Sequence, residues 1–146
     1  MALPTPEPGL VIRYSYLWHK EFMAGQEEGV KDRPCAIVAA IQTDDNGRRR
    51  VLVLPVTHSK PDNLELAIEI PASVKRHLGL DEEQSWIVLS ESNEFLWPGP
   101  DLRRVRNGDD STVAHGFLPP RLFATVCQRF IALEKKRQAT RIQRTA

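Results

Sequence analysis

The sequence predicts a small domain that is mainly β with helices (α+β), folded as a compact antiparallel barrel or half-barrel with its helices packed outside. The chain has 146 residues, about the size of one typical domain, so a single domain over 1–146 is expected. About five short runs are rich in β-branched and aromatic residues, and two further segments have helical character. No internal repeat is visible, so one sheet around one core is the simplest arrangement.

The first half of the chain predicts three strands. "LVIRYSYLW", directly after Gly9, is dense in β-branched and aromatic residues, and a loop from His19 to Asp32 follows it. "PCAIVAAI" is apolar on both faces, which is typical of a central strand. Asn46 and Gly47 form a hairpin signal that joins this strand to "VLVLPVT". The two joined strands should therefore be antiparallel.

The second half predicts two strands and two helices. "LELAIEI" alternates in polarity up to Pro71, as a half-exposed strand does, and "PASVKRHLGL" has the proline start and Gly79 stop of a short helix. "SWIVLSES" predicts a further strand, and an irregular loop rich in proline and glycine follows it. A final amphipathic helix is indicated by apolar residues at helical spacing: Phe123, Val126, Cys127, Phe130 and Leu133.

Composition favours a globular protein of the cytoplasm. Apolar residues make up 41% of the chain and charged residues 27%, and the net charge of +1 favours no class of partner. No run approaches the roughly 20 apolar residues of a membrane helix, and the N-terminus lacks the plan of a signal peptide. Cys35 and Cys127 lie inside apolar runs without a CxxC partner, which indicates buried free thiols in a reducing compartment.

The two ends of the chain are candidates for disorder. Residues 1–8 are rich in proline, and the basic tail at about 137–146 follows the last predicted helix. A solvated tail is one interpretation. A basic arm that touches nucleic acid is the other.

Several common chemistries are disfavoured. The four histidines are scattered, and none has ligand spacing with a carboxylate or thiol, so we expect no metal site. Walker-type phosphate loops, GxSxG elbows and dinucleotide fingerprints are missing from the sequence, and no cofactor is expected.

One pair of strand ends has the chemistry of an anion site. Arg33 starts the second strand, and Thr57, His58 and Ser59 follow the third. Antiparallel pairing would place Arg33 beside Thr57. A guanidinium donates two parallel hydrogen bonds to a phosphate, and a hydroxyl adds a third. The alternative is that Arg33 pairs with an acidic residue of its own loop and Thr57 merely ends a strand.

A tryptophan offers a second type of contact. Trp97 follows the last predicted strand, near Glu91 and Glu94. An exposed tryptophan can stack on an unpaired base, which stabilises binding by about 1–3 kcal/mol. A packing anchor is the competing interpretation.

Four segments taken in order resemble a known family. "PGLVIRYSY", "GQEEGVKDRPCAIV", "VLVLPVTHS" and "SWIVLSE" are similar to the motifs of the PemK/MazF toxin ribonucleases of type II toxin–antitoxin systems, over about residues 8–92. The resemblance implies a small SH3-like barrel and metal-independent cleavage of single-stranded RNA. It also implies a homodimer and a cognate antitoxin protein that blocks the enzyme.

The resemblance also assigns roles to residues. Arg33 falls on the family's arginine, which stabilises the scissile phosphate and can act as the acid, and Thr57 falls on its strand-end threonine. The later acidic residue falls on Glu91 or, with a one-residue shift, on Ser90, and Glu91 or His58 would be the base. The candidate RNA-binding residues are His58, Ser59, Lys31 and Trp97.

Two alternatives stay open. "IEIPASVKRHLGLDEEQSWIVLSE" resembles AbrB-type DNA-binding antitoxins, which would make the chain a non-catalytic nucleic-acid-binding protein. The segment "NEFLWPGPDLRRV" departs from the family's pattern, so an inactive member that keeps the fold is the other alternative.

Overall fold

The computed structural model describes residues 3–27, 29, 31–42, 47–105 and 112–144. Its strands and helices are, in chain order, β1 (Leu10–Tyr14), α1 (His19–Met23), β2 (Arg33–Gln42), β3 (Arg49–Thr57), β4 (Ala67–Glu69), α2 (Ala72–His77), β5 (Trp86–Val88), β6 (Glu91–Leu96), β7 (Ala114–Phe117), α3 (Pro120–Lys135) and β8 (Thr140–Gln143). The described part of the chain is mainly β with a few helices, as the sequence predicts.

The strands of the described ranges form one eight-stranded sheet. Its main path runs β4-β5-β3-β2-β1-β7, and every pair on this path is antiparallel. β6 leaves this path, pairing antiparallel with β3 and parallel with β8. The sheet is therefore open in its hydrogen bonding and contains one parallel pair, which the sequence did not predict.

The predicted pairing of β2 with β3 is confirmed. Cys35 lies opposite Pro55 and Ala36 opposite Leu54, so continuing this register places Arg33 opposite Thr57. Gly47 has a φ of 76°, a left-handed conformation that favours glycine. Asn46, the other residue of the hairpin signal, lies outside the described residues.

Both faces of β2 and β3 are buried, as expected of central strands. Successive side chains of a strand point to opposite faces, so the two faces contribute to two apolar clusters. In the first, Leu54 packs with Ile87 and with the apolar side of α3. In the second, Val53 packs with Tyr14 and Phe95, whose rings stack with their centroids 4.7 Å apart. These two clusters hold the ends of β2 and β3 in fixed positions.

Some predicted elements differ from the structure. The loop from His19 to Asp32 contains the short helix α1, and a 3₁₀-helix at Leu64–Leu66 replaces the first half of the strand predicted in "LELAIEI". The Asn63 side chain accepts a hydrogen bond from the Glu65 amide at 2.9 Å, which favours this turn over an extended chain. "SWIVLSES" divides into β5 and β6, which pair with different halves of the same edge of β3.

The last part of the chain contains α3 and β8. α3 is confirmed, and it buries Val126, Phe130 and Leu133. Within the tail whose order the sequence left open, Thr140–Gln143 form β8, which pairs in parallel with β6. Both cysteines are free thiols, Cys35 buried and Cys127 half-buried. Within the described ranges, no helix is long and apolar enough to span a bilayer.

Candidate functional site

The guanidinium of Arg33 is fixed at the start of β2 by two neighbours. Its Nη1 atom donates a hydrogen bond to the Val56 carbonyl at 3.1 Å, and its Cζ atom lies 4.8 Å from the centroid of the Trp18 ring. Burial lowers the pKa of Arg33, against smaller opposing effects of nearby groups that include Glu21 and Glu91. The cation is thus oriented and partly stripped of water, the state in which it binds an anion best.

Arg33 forms one wall of an open cleft of about 410 Å³. We call it the Arg33–Thr57 cleft; it is lined by Trp18, Arg33, Thr57, Ser59, Lys60, Pro61, Asp62 and Val88. The Thr57 Oγ1 atom accepts a hydrogen bond from the Ser59 amide at 3.1 Å, which fixes its hydroxyl at the strand end. That hydroxyl can still donate its own proton to an anion held at Arg33.

Glu91 lies on the other side of Trp18. Its Oε1 atom accepts hydrogen bonds from the Tyr16 hydroxyl at 3.1 Å and from the His19 amide at 2.9 Å. Burial raises the pKa of the Glu91 carboxyl, and these two hydrogen bonds oppose the rise. Trp18 lines both the cleft and the hollow that contains Glu91. A carboxyl with a raised pKa, separated from an oriented guanidinium by one aromatic ring, supplies the kinds of group that acid–base catalysis uses.

A second cavity, of about 240 Å³, also touches Arg33. We call it the His115 cavity; its lining includes Arg13, Lys31, Asp32 and His58 as well as His115 on β7. Burial, with a smaller contribution from the Arg13 charge, lowers the pKa of His115 from 6.5 to about 4. At neutral pH the imidazole is therefore uncharged.

The sequence-predicted residues are divided among these places. Arg33, Thr57 and Ser59 meet in the cleft, and Glu91 lies beyond Trp18. Lys31 and His58 line the His115 cavity. All of these residues except Glu91 therefore contact a space that Arg33 also contacts.

Trp97 is not near the cleft. Its amide donates a hydrogen bond to the carbonyl of Arg49, the first residue of β3, whereas Thr57 is the last. At about 3.3 Å per residue the two ends of β3 are roughly 26 Å apart. Trp97 also packs against the core, with its ring centroid 6.1 Å from that of Phe95. Its position fits the packing-anchor interpretation.

His58 has acidic neighbours that its sequence spacing did not predict. Its Nε2 atom lies 2.8 Å from Asp81 and its Nδ1 atom 3.2 Å from Glu83, and the ligand atoms of the three lie within 4.8 Å of one another. Lys75 already places its ammonium 2.7 Å from Asp81. Burial alone would raise the pKa of Asp81, but hydrogen bonding to Lys75 and the charge of His58 outweigh it and lower that pKa. The Asp81 carboxylate is thus already paired with Lys75 and His58, and the Glu83 carboxylate with His58.

Sequence reasoning missed three residues of this region: Trp18, Tyr16 and His115. Trp18 and Tyr16 were assigned only to the first strand, which in fact ends at Tyr14. Their rings meet edge to face with centroids 5.1 Å apart, which places Trp18 over Arg33. The aromatic run "YSYLW" is the signal that could have indicated Tyr16 and Trp18.

Comparison with models of protein families, with curated proteins and with solved structures finds no significant match to this chain. Function is therefore inferred from the chemistry of the cleft and from the sequence motifs around it.

His115→Phe is expected to remove an acid-sensitive part of the protein's stability. Because its folded pKa lies below its unfolded one, His115 takes up a proton more readily in the unfolded chain. Stability is therefore lost as pH falls from about 6.5 to 4. Allowing for partial exposure, the wild type should lose on the order of 2 kcal/mol more than the variant between pH 7 and pH 4. Urea denaturation at both pH values measures this, and equal losses would contradict it.

Proposed function

We propose that this chain is a toxin endoribonuclease of the PemK/MazF type, which cleaves single-stranded RNA without a metal ion in the Arg33–Thr57 cleft. One observation carries the proposal: the guanidinium of Arg33 is held by Val56 and Trp18 beside the Thr57 hydroxyl at the paired ends of β2 and β3. These are the two residues onto which the sequence motifs place the phosphate-binding arginine and threonine. Phosphate is the anion that this donor set fits.

The reaction we propose is attack of a ribose 2′-oxygen on the adjacent phosphorus. The bond from 2′-oxygen to phosphorus forms, the bond from phosphorus to the 5′-oxygen breaks, and the products are a 2′,3′-cyclic phosphate and a 5′-hydroxyl. A base takes the 2′-hydroxyl proton, and an acid protonates the departing 5′-oxygen. Negative charge grows on the phosphate oxygens and must be stabilised by fixed donors.

Residues in the cleft and next to it suit these roles. Arg33 stabilises the phosphate charge and is the candidate acid, and the Thr57 hydroxyl orients the phosphate. Glu91 is the candidate base, because burial moves its pKa toward the range in which a carboxylate accepts protons efficiently. His58 is less suited to be the base, since both of its ring nitrogens are engaged by Asp81 and Glu83.

The family relation extends this proposal to fold and partners. A small SH3-like barrel would be formed by the strands around β3, and the active form would be a homodimer that a cognate antitoxin blocks. The AbrB-like alternative receives less support, because β4 and β5 join the same sheet as Arg33 through β3 instead of forming a separate half. An inactive member of the family would bind RNA at the cleft and leave it intact.

The test is cleavage in excess EDTA of a mixed-sequence single-stranded RNA, beside a DNA of the same sequence. We expect the RNA to be cut and the DNA to stay intact, because DNA lacks the 2′-hydroxyl. Cleavage of the DNA as well as the RNA would contradict the proposed chemistry. Duplex DNA binding with a steep salt dependence and no RNA turnover would favour the AbrB-like alternative.

Tyr16→Phe is expected to shift the pH dependence of cleavage. Its hydroxyl donates to the ionised form of Glu91, so its removal should raise the Glu91 pKa further above 4.5. Loss of a hydrogen bond of about 1 kcal/mol moves a pKa by roughly 0.5–1 unit. The acid limb of kcat/KM should move to higher pH by that amount. Tyr14→Phe, which changes a buried tyrosine that does not touch Glu91, is the control and should leave the limb in place.

A further inference from the structure

The His115 cavity contains polar atoms whose partners the protein does not supply. In the described ranges, four buried side-chain nitrogen or oxygen atoms have no hydrogen-bond partner: Arg33 Nε, both ring nitrogens of His115, and Ser92 Oγ. Arg33 and His115 both line this cavity. Buried polar groups nearly always have partners, and an unsatisfied one costs about 1–3 kcal/mol. The unpartnered imidazole nitrogens belong to a residue that lines the cavity, so they are candidate partners for a group bound there.

The size and the lining of the cavity restrict the kind of ligand that could bind there. At about 240 Å³ it is smaller than the roughly 300–1,000 Å³ of pockets for drug-sized ligands, so it suits a single ring system. Pro34, Val56 and Leu80 supply apolar wall, while Lys31, Asp32 and His115 supply polar groups. An apolar wall with polar groups at its edge is complementary to a planar heteroaromatic ligand.

The protonation state of His115 further restricts the class of ligand that the cavity could bind. The uncharged imidazole offers one N–H donor and one acceptor nitrogen. A nucleobase edge presents both donors and acceptors, so it can pair with either ring nitrogen of a neutral histidine, whichever faces the cavity. An anion without an O–H group offers acceptors alone and can pair only with the N–H of His115.

The position of the cavity connects it to the cleft. Arg33 lines both, so one residue separates the two spaces. RNA-binding proteins read sequence by splaying bases of a single strand into pockets and hydrogen-bonding their edges. A base in the cavity would thus belong to a nucleotide close to the phosphate at Arg33.

We propose that the His115 cavity binds one nucleobase of the RNA, next to the phosphate held at Arg33, and that His115 sets the base preference at that nucleotide. The inference rests on the proposed ribonuclease function. It adds a specificity-determining residue on β7, outside the motifs that led to the cleft.

The first test maps the bases around each cut in a randomised single-stranded RNA, in EDTA, for wild type, His115→Phe and His77→Phe. His77 is an exposed histidine on α2 and gives a matched control. We expect a preferred base at one fixed position for the wild type and for His77→Phe. For His115→Phe the rate on the preferred RNA should fall about 10- to 100-fold and the preference should flatten. An unchanged rate and preference for a folded His115→Phe would overturn the proposal.

The second test needs no RNA cleavage. The ring signals of His115 are followed by NMR in the wild type during titration with each nucleoside 5′-monophosphate and with inorganic phosphate. We expect one or two of the nucleotides to move these signals and inorganic phosphate to leave them in place. Equal shifts with phosphate would make the cavity a simple anion site, and no shift with any nucleotide would mean that water fills it; either result overturns the proposal. If a nucleotide moves the signals and RNA is never cut, the nucleobase site stands and the ribonuclease function fails.

Discussion

Arg33→Ala is expected to lower the rate of RNA cleavage by about two to three decades, or about 3–4 kcal/mol of transition-state stabilisation. The guanidinium is oriented before substrate arrives, by the Val56 carbonyl and the Trp18 ring, so no reorganisation is needed as phosphate charge develops. Lys60 also lines the cleft, but an ammonium cannot reproduce the two parallel hydrogen bonds of a guanidinium. Single-turnover rates in EDTA, at saturating RNA, measure the effect on the chemical step.

Two further variants make this result interpretable. Arg33→Lys keeps the charge but cannot make two parallel hydrogen bonds, so it should recover little of the lost rate. Arg121→Ala removes an exposed arginine from the first turn of α3 and should leave the rate unchanged. Thermal denaturation should show Arg33→Ala folded, because it loses one hydrogen bond and one ring contact, together about 1–2 kcal/mol. A folded Arg33→Ala with the wild-type rate would remove Arg33 from the mechanism.

Arg144→Ala is expected to destabilise the fold by about 3–5 kcal/mol, the usual cost of breaking a buried ion pair from one side. The side chain of Arg144 is 4% exposed and lies 3.0 Å from a carboxylate oxygen of Asp101, itself 9% exposed. It also donates to the Ser15 carbonyl at 2.9 Å and to Asn93 Oδ1 at 3.1 Å. Through these contacts Arg144, which directly follows β8, connects this segment to the backbone after β1 and to β6.

Arg141→Ala provides the matched control for this prediction. Arg141 lies within β8, shortly before Arg144, but is 43% exposed, and it faces Glu94 and Glu134 at the surface. Exposed ion pairs contribute about 0–1 kcal/mol, so this variant should be nearly as stable as the wild type. Urea denaturation of the two variants gives the comparison. Equal stabilities would show that β8 does not depend on the Arg144 contacts.

The cleft was predictable because it follows from local rules. A hairpin signal between two apolar strands predicts antiparallel pairing, which brings the start of β2 near the end of β3. The exact partner was not predictable, because a bulge between Ile37 and Ala39 shifts the register by one residue and so places Arg33, and not Pro34, opposite Thr57. The same strands are apolar at successive positions, so their burial on both faces could also be read from the sequence.

The order of the tail could not be predicted, because its partners are distant in sequence. Residues 137–146 have the composition of a solvated basic arm, and nothing local distinguishes Arg144 from its exposed neighbour Arg141. Arg144 is buried because Asp101, Asn93 and Ser15 together offer acceptors at one point. The position of Trp97 could not be predicted for a similar reason, since the β3–β6 register decides at which end of the sheet it lies.

His115 shows a different limit of sequence reasoning. A single histidine in "TVAHGF" has no motif around it, and its strand β7 has only four residues. His115 becomes a candidate only in the folded protein, where it lines a cavity together with Arg33 and both of its ring nitrogens are buried without partners.

The most direct measurement is the chemical identity of the RNA ends after incubation in EDTA with the wild type and with Arg33→Ala. Mass spectrometry of the fragments should show 2′,3′-cyclic phosphates and 5′-hydroxyls for the wild type, and intact RNA for Arg33→Ala over the same time. Fragments with 5′-phosphates, or the same cyclic-phosphate fragments from both proteins at equal rates, would contradict 2′-hydroxyl attack at the Arg33–Thr57 cleft.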